Sequence, residues 1–292
     1  MGRLATGQGG KGSNQAIACG RTGVPTLFVG ALGDDGYASN VEAFYRREKI
    51  GCTLAIKPNT ATGTAVILID STGQNQIVIE PGANGLLSPE DVPTPVWGEV
   101  RVLMTQLEAN LATTVSVLRA ARSAGITTIL NPAPMRSDFD FSLLENVDIL
   151  IPNEHEFVAL VRLRPEFNYP DFTERNLHAL TEENLHLLCR RFAVPTLIIT
   201  LGSKGCFVSE RDTYRFIPAY DNIEVVDTTG AGDAFCGGFA SGLIQYKGDC
   251  VAAARFGSAV AALSITKPGA AGAMPSLEEI EDFRERRGGV GI

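Results

Sequence analysis

The sequence predicts an α/β fold built on a three-layer, doubly wound sheet. In the middle of the chain, short apolar runs alternate with helical patterns, as in the segments 100–108, 114–125, 127–134 and 143–160. Such runs between amphipathic helices indicate parallel strands that are covered by helices on both faces. Polar or glycine-rich residues follow several of the runs, at the position where open α/β sheets bind their ligands.

The first third of the chain adds elements of a different kind. A helical pattern begins at Gln15, a strand pattern covers Thr26–Val29, and residues 41–49 again have a helical pattern. Two β-rich segments, Thr64–Ile69 and Gln76–Glu80, flank turn residues 70–73 and predict a hairpin.

The second half continues the alternation. The polar segment Arg162–Leu180 has the proline and charge content of a surface loop. A helix is predicted over residues 183–192, followed by a strand over Thr196–Gly202. Two helices rich in small residues are predicted over Asp233–Tyr246 and Ala252–Thr266.

Composition narrows the class of protein. The chain has 292 residues, of which 45% are hydrophobic and 20% charged, so we expect a globular protein with one domain over residues 1–292. A net charge of −8 lacks the basic footprint of a nucleic-acid or membrane-surface protein, and we expect neither partner. No signal peptide or membrane span is visible, which favours a cytoplasmic location.

Cysteines and histidines give no sign of a metal centre. The six cysteines are scattered singly without a CxxC pair, and the three histidines show no ligand spacing. We expect reduced cysteines and no zinc site.

The segment DTTGAGD predicts an anion site. Gly230 and Gly232 allow backbone N–H groups to converge, and the helix that begins at Ala231 to Asp233 adds its positive end. Asp233 lies where a carboxylate takes a proton from a hydroxyl that attacks a phosphoryl group. The alternative is that Asp233 only caps a helix.

The N-terminal segment Gly7–Gln15 is also glycine-rich. It matches GxGxxG, but no strand precedes it, so a dinucleotide fingerprint is not supported. Neither is a Walker A loop, because Gly12 follows Lys11 where Ser or Thr is required. The remaining interpretations are a flexible loop that offers Lys11 and Asn14 to a hydroxyl-rich ligand, or an unstructured tail.

Polar side chains at three further strand ends are candidate ligands. Asn153 and Glu156 share one face of a helix start and suit a hydrated magnesium ion, or they form an ordinary acidic first turn. Glu108 is a carboxylate at another strand end.

A glycine-containing turn follows the strand that ends near Thr200. Gly202 and Gly205 there either admit nucleotide phosphates close to the backbone or simply make the turn.

The order of these motifs resembles the PfkB carbohydrate kinase family over almost the whole chain. The combination of DTTGAGD with GGKGxNQ is far more specific than either motif alone. The matching segments are GGKGSNQ (9–15), TGTAVILID (62–70), GQNQIVIEPGAN (73–84), TQLE (105–108), ILNPAP (129–134), PNEHE (152–156), ITLGSKG (199–205) and VDTTGAGDAF (226–235).

The resemblance implies a ribokinase-like fold with a small β lid at about 64–80, and transfer of a phosphoryl group from ATP to the primary hydroxyl of ribose. Alternatives are another sugar or a nucleoside as substrate, or a truncated non-catalytic homologue that binds ligand. By motif, Asp233 is the catalytic base. The implied anion hole is Gly230, Ala231 and Gly232; the sugar site is Gly10, Lys11, Asn14 and Glu108.

The resemblance also implies cofactor positions. Asn153 and Glu156 organise magnesium and phosphate, with the magnesium held through water, and Thr200, Gly202 and Gly205 line the nucleotide site. A monovalent cation, usually potassium, is implied near Asp227, Thr229, Ser264, Lys267 and Gly269. Ala273 stands where such enzymes often have a serine near that cation.

The N-terminal part departs from the family pattern. Family members have a longer segment before GGKG, which forms a first core strand with a sugar contact and two lid strands. We therefore expect an N-terminal strand and part of the lid to be missing. The resemblance also implies a homodimer through the lid.

Overall fold

The computed structural model describes residues 6–69, 75–93 and 98–287. Helices and strands alternate through most of this length. The helices are α1 (Lys11–Arg21), α2 (Ala38–Arg47), α3 (Leu111–Ser123), α4 (Glu154–Arg162), α5 (Glu174–Ala179), α6 (Glu182–Arg190), α7 (Ala231–Gln245), α8 (Cys250–Ser264) and α9 (Leu277–Arg286). The strands are β1 (Leu27–Gly33), β2 (Gly51–Lys57), β3 (Thr64–Ile69), β4 (Asn75–Glu80), β5 (Val102–Thr105), β6 (Thr127–Leu130), β7 (Ile149–Leu150), β8 (Thr196–Thr200), β9 (Gly205–Ser209) and β10 (Tyr214–Pro218).

The strands form three sheets. The largest has the order β10-β9-β8-β7-β6-β5, in which β5 to β8 are parallel and the pairs β8–β9 and β9–β10 are antiparallel. Strands β1 and β2 form a separate parallel pair, and β3 and β4 form the antiparallel hairpin. In the part of the chain that the structure describes, β1 and β5 each pair with a strand on one side only.

Helices cover both faces of the six-stranded sheet, which confirms the predicted three-layer α/β fold. The alternation of side chains along β8 shows how this works. Leu197 and Ile199 enter a core with residues of α3, α4 and α6, whereas Ile198 enters a second core with residues of α7 and α8. The continuous apolar sequence of the strand therefore serves two cores at once.

A third core joins α1 to the two-stranded sheet and to the C-terminal helices. Here α1 crosses α7 very closely. A Cβ atom on Gly237 of α7 would lie 2.3 Å from the carbonyl oxygen of Gln15, far inside van der Waals contact. Glycine at this position lets the two backbones approach, and the polar end of α1 consequently reaches the start of α7.

Two predictions about local structure are wrong. The first helix begins at Lys11, four residues before the predicted start at Gln15, so Lys11 and Asn14 lie on a helical turn and not on a flexible loop. The segment Arg162–Leu180 is not only a surface loop. It contains α5 and buries three apolar side chains in the first core, because aromatic and aliphatic residues are interspersed with its charges: Phe167, Phe172 and Leu177.

The hairpin has the predicted strands, with Thr64 opposite Glu80 in the register. The predicted turn at 70–73 lies outside the described residues. The hairpin exposes apolar side chains from both of its strands: Val66, Ile67, Leu68, Val78 and Ile79. No described helix combines the length and the apolar character needed to cross a bilayer.

Candidate active site

Asp233, in the first turn of α7, is held by two amide side chains of α1. Asn14 Nδ2 donates to its Oδ2 at 2.8 Å, and Gln15 Nε2 donates to its Oδ1 at 3.0 Å. Only 7% of Asp233 is exposed to solvent. The carboxylate is thus fixed in position, with both of its oxygens accepting hydrogen bonds.

The environment of Asp233 favours its protonated form more than water does. Burial raises the pKa of Asp233, and the ammonium group of Lys11 together with the hydrogen bonds from Asn14 and Gln15 only partly opposes this rise. A carboxylate with a raised pKa is a better proton acceptor than an ordinary one, which suits a general base.

The backbone at the start of α7 has unused donors. Gly230 is in the left-handed region with φ of 77°, and Ala231 N–H already donates to the carbonyl oxygen of Thr228 at 3.2 Å. Within the described ranges, the N–H groups of Gly232 and Asp233 donate to no acceptor. A Cβ on Gly232 would have no atom within 4 Å, so the space beside these donors is open. This arrangement is an anion site at a helix N-terminus.

The start of α1 brings a second carboxylate close to Asp233. The backbone N–H of Lys11 donates to Glu108 Oε2 at 2.8 Å, and Gly10, with φ of 94°, makes the turn before it. Burial raises the pKa of Glu108; the Lys11 N–H and ammonium oppose the rise, and the negative charge of Asp233 adds to it. Lys11 is therefore the cation that these acidic groups share.

Asn14 has one polar atom that nothing satisfies. Its Oδ1 is buried and accepts no hydrogen bond from the described residues. Because a buried polar atom without a partner is costly, this oxygen marks a position for a donor from a ligand. The hydroxyl group of a ligand is one donor of this kind.

Gln15, Gln106 and Asn131 belong to the site although the sequence pattern assigned them no role. Gln15 Nε2 donates to Asp233 and also lies 3.2 Å from Asn131 Oδ1. Gln15 Oε1 accepts from Gln106 Nε2. Asn131 in turn donates to the carbonyl oxygen of Ile151. All three lie inside motifs noted in the sequence, but only the fold shows that they connect to one another and fix Gln15.

Asn153 and Glu156 form a reciprocal capping box at the start of α4, so the acidic-turn interpretation describes their local structure. Glu156 N–H donates to Asn153 Oδ1 at 2.8 Å, and Asn153 N–H donates to Glu156 Oε2 at 2.9 Å. Burial raises the pKa of Glu156; the Asn153 N–H and the Lys11 charge oppose this, and Asp233 adds to it. The pair is thus also within electrostatic reach of the base.

The residues predicted to line a nucleotide site differ in their surroundings. Thr200, at the end of β8, forms a parallel bridge with Asn153. Gly202 has φ of +54° and open space around it. A Cβ on Gly205 would lie 2.0 Å from the carbonyl oxygen of Ile217, so Gly205 is required by the turn into β9. Of the two glycines, Gly202 is the one that a ligand can approach.

The predicted monovalent-cation residues are only partly brought together. Asp227 accepts from the N–H groups of Thr229 and Gly269, each at 2.9 Å. Partial burial acts to raise the pKa of Asp227, but these hydrogen bonds outweigh it and hold the pKa below its usual range.

The side chains of Ser264 and Lys267 have other partners. Ser264 Oγ is buried and donates to the carbonyl oxygen of Ala261, and Lys267 Nζ pairs with Glu279. Within residues 6–69, 75–93 and 98–287, no three His, Cys, Asp or Glu side chains form a group that would hold a metal ion. Glu156, a buried carboxylate within electrostatic reach of Asp233, is compatible with a magnesium ion that keeps most of its waters.

Known proteins resemble this chain over most of its length. A family model for pfkB family carbohydrate kinases matches residues 1–277. A ribokinase of Staphylococcus aureus (strain COL) is 33% identical over 275 residues, covering 93% of this chain and 86% of the relative. A deoxyribokinase of Salmonella typhi is also 33% identical, over 280 residues, covering 95% and 87%. The solved structure of Arabidopsis thaliana ribokinase complexed with ribose and ATP has a TM-score of 0.79 at 30% identity, covering 94% of this chain and 86% of the other.

A buried carboxylate beside an open helix N-terminus, on a three-layer α/β fold, agrees with the class of protein that the comparisons show, a phosphotransferase whose acceptor is an alcohol group. The chain belongs to the pfkB family of carbohydrate kinases. The resemblance seen in the sequence is thereby confirmed, whereas the roles of individual residues stay predictions.

Proposed function

We propose that this protein transfers a phosphoryl group from ATP to the primary hydroxyl of D-ribose and forms ribose 5-phosphate. One observation carries the proposal: the carboxylate of Asp233 is buried, held by Asn14 and Gln15, and adjacent to the unpaired N–H groups of α7. The ribokinase relative and the ribokinase structure that holds ribose and ATP support the same reaction and the same donor.

In the proposed mechanism, Asp233 accepts the proton of the sugar hydroxyl. The hydroxyl oxygen forms a bond to the γ-phosphorus of ATP while the bond from that phosphorus to the bridging oxygen breaks, so that ADP leaves with the electron pair. The N–H groups of Gly232 and Asp233 stabilise charge on the transferring phosphoryl oxygens. Gly230 and Ala231 shape this turn, because the Ala231 N–H is already used by Thr228.

The sugar site is assigned to the start of α1 and the end of β5. Asn14 Oδ1 accepts from a hydroxyl group, and Glu108 and Lys11 offer an acceptor and a donor on the same side. Magnesium, when bound, neutralises the phosphates of ATP. Glu156 would hold it through water, and Asn153 would contact the phosphates.

Potassium is proposed to bind beside Asp227, Thr229 and Gly269, where the loop 265–269 meets the start of the anion site. The pairs Val226 N–H with Ile265 O and Gly269 N–H with Asp227 Oδ2 join the two loops. An ion there would fix the turn that carries Gly230.

The exposed apolar hairpin supports a homodimer in which the lids of two chains pack together. Five large apolar side chains in two adjacent strands are exposed, which is uncommon in a monomer. We further propose that residues 1–292 form one domain. A strand that paired with both β1 and β5 would join the two-stranded sheet to the six-stranded sheet.

The experiment that tests the proposal is a coupled ADP-release assay with ribose, 2-deoxyribose, other sugars and a nucleoside, with and without potassium. Ribose is expected to give the highest kcat/KM. The deoxyribokinase relative makes 2-deoxyribose the second candidate, and a higher kcat/KM with it would overturn the ribose assignment. Binding of sugar and ATP by a folded sample without turnover would instead identify a non-catalytic binding protein.

A further inference from the structure

A cavity lies outside the candidate active site, and none of the site residues described above lines it. Its volume is about 660 Å³, and it lies between the residues that follow β6, the exposed side of α4, and α5. This volume is within the range of roughly 300–1,000 Å³ that is typical of sites for small organic molecules. The reaction proposed above gives this cavity no role.

The cavity is cationic although the protein as a whole is acidic. Arg136, Arg162 and Arg175 line it, and Glu174 is the one carboxylate among its lining residues. His155 Nδ1 contacts that carboxylate. The full chain carries a net charge of −8, so this local excess of arginine is not a consequence of composition.

Two of the arginines have no carboxylate partner in the described part of the chain. Arg162 Nε donates to the carbonyl oxygen of Phe172 at 2.6 Å, and the two terminal nitrogens of its guanidinium group have no hydrogen-bond partner among residues 6–69, 75–93 and 98–287. Arg175 lies in the first turn of α5, and its guanidinium group forms none of the ion pairs found among the described residues. Arg136, by contrast, forms a two-pronged pair with Asp138. The forked donors of guanidinium groups match the oxygens of phosphate.

The rest of the lining is apolar. Met135, Val158, Ala159 and Leu163 contribute to the same cavity as the arginines. Inorganic phosphate alone would contact the cationic side and leave the apolar side unfilled. An organic molecule with a phosphate at one end makes use of both.

We propose that this cavity is a binding site for a small organic phosphate monoester. The phosphate group contacts Arg162 and Arg175, and the organic part packs against Met135, Val158 and Leu163. Because the site is separate from Asp233, its occupation does not require turnover.

Titration calorimetry with glucose 6-phosphate, inorganic phosphate and glucose tests the proposal on the full chain. Three proteins are compared: the wild type, the double variant Arg162→Ala/Arg175→Ala, and the control Arg215→Ala, which removes an exposed arginine from β10. The wild type and the control should bind glucose 6-phosphate more tightly than inorganic phosphate. The double variant should bind it at least about tenfold more weakly, since each lost charge-assisted contact is worth a factor of roughly ten or more.

Equal binding by the wild type and the double variant would overturn the site. So would an absence of heat with both phosphate compounds at about 10 mM, which corresponds to binding too weak for a specific site. Equal affinity for inorganic phosphate and glucose 6-phosphate would overturn the assignment of an organic ester. The kcat and KM of the double variant should match the wild type, and their loss would show that the arginines act at the active site. These outcomes do not depend on which sugar the enzyme phosphorylates.

Discussion

The side-chain amide of Asn14 donates to the carboxylate of Asp233 at 2.8 Å, although 219 positions separate the two residues in the chain. The contact joins the first helix to the seventh one turn of α7 before the close crossing at Gly237. It orients the proposed base and at the same time leaves Asn14 Oδ1 without a partner among the described residues. The proposed acceptor site and base are thus positioned by one amide group.

Replacing the base should abolish turnover and spare binding. Asp233→Asn keeps the size of the side chain but removes the proton acceptor, so kcat should fall by roughly two to four orders of magnitude. Sugar and ATP affinities, measured by calorimetry, should stay within a few-fold of the wild type. Turnover close to wild type in this variant would exclude Asp233 as the base.

Gln15 should set the pH dependence of the reaction. Its hydrogen bond stabilises the charged form of Asp233, so Gln15→Leu should raise the pKa of Asp233 further. Because the base must be deprotonated, the acid limb of the pH–rate profile should move to higher pH, with turnover on the plateau kept within about tenfold. Gln245→Leu, at the far end of α7, the helix that carries Asp233, is the control and should leave the limb unchanged. If the acid limb of Gln15→Leu lies at the same pH as that of the wild type, Gln15 does not set the pKa of Asp233.

Glu108 should lower stability at neutral pH as a consequence of its place in the site. The pKa of Glu108 is raised in the folded protein, so folding favours the protonated carboxyl group. Glu108 therefore stabilises the folded protein at low pH, and this stabilisation is lost as the pH rises through the folded pKa. Glu108→Gln removes the buried charge and should raise Tm at pH 7 more than at pH 5, while turnover falls. Calorimetric melts at the two pH values check this. A lower Tm at pH 7 would show that the Lys11 contact outweighs burial.

Glu156 should control the magnesium requirement. Glu156→Gln retains a residue suited to the capping box but removes the charge, so half-maximal activity should need several-fold more magnesium. The KM for sugar should change less than about twofold, because Glu156 is not proposed to contact it. Glu154→Gln on the same helical turn provides the control. An unchanged magnesium titration would remove this role from Glu156.

The hairpin should hold the dimer together. Val78→Lys places a charge in the exposed apolar face, and sedimentation velocity should show a monomer where the wild type shows a dimer. Leu187→Lys, which changes an equally accessible apolar residue on α6, should remain dimeric. A wild-type protein that sediments as a monomer would exclude the proposed assembly.

The sequence predicted the parts of the fold that depend on local pattern. Strands β5 to β8 and helices α7 and α8 were predicted because continuous apolar runs and small-residue helices have clear signals. Strand β2 was not, since GCTLAIK mixes polar and apolar residues without a period of two. The antiparallel strands β9 and β10 were not predicted either. The direction of a strand depends on the geometry of a short connection, which the pattern of apolar residues does not show.

The candidate site was predicted residue by residue but not as a network. Glycines around Lys11 suggested a loop, whereas a carboxylate that is distant in sequence, Glu108, accepts the first N–H of the helix that starts there. Ser264 and Lys267 were placed near a cation by their position in a motif, and their side chains turn to other partners. Side-chain direction is set by packing, which sequence spacing alone does not report.

The close crossing at Gly237 also dictates an order of events during synthesis. Helix α1 leaves the ribosome before strands β1 to β10 are made, and α7, against which it packs, is made only after them. Ile17 and Ala18, fully buried in the folded protein, therefore have no α7 to cover them while that stretch is translated. The candidate site accordingly cannot form until α7 has been made, and a nascent chain that stops before α7 carries the proposed sugar-binding helix without the proposed base.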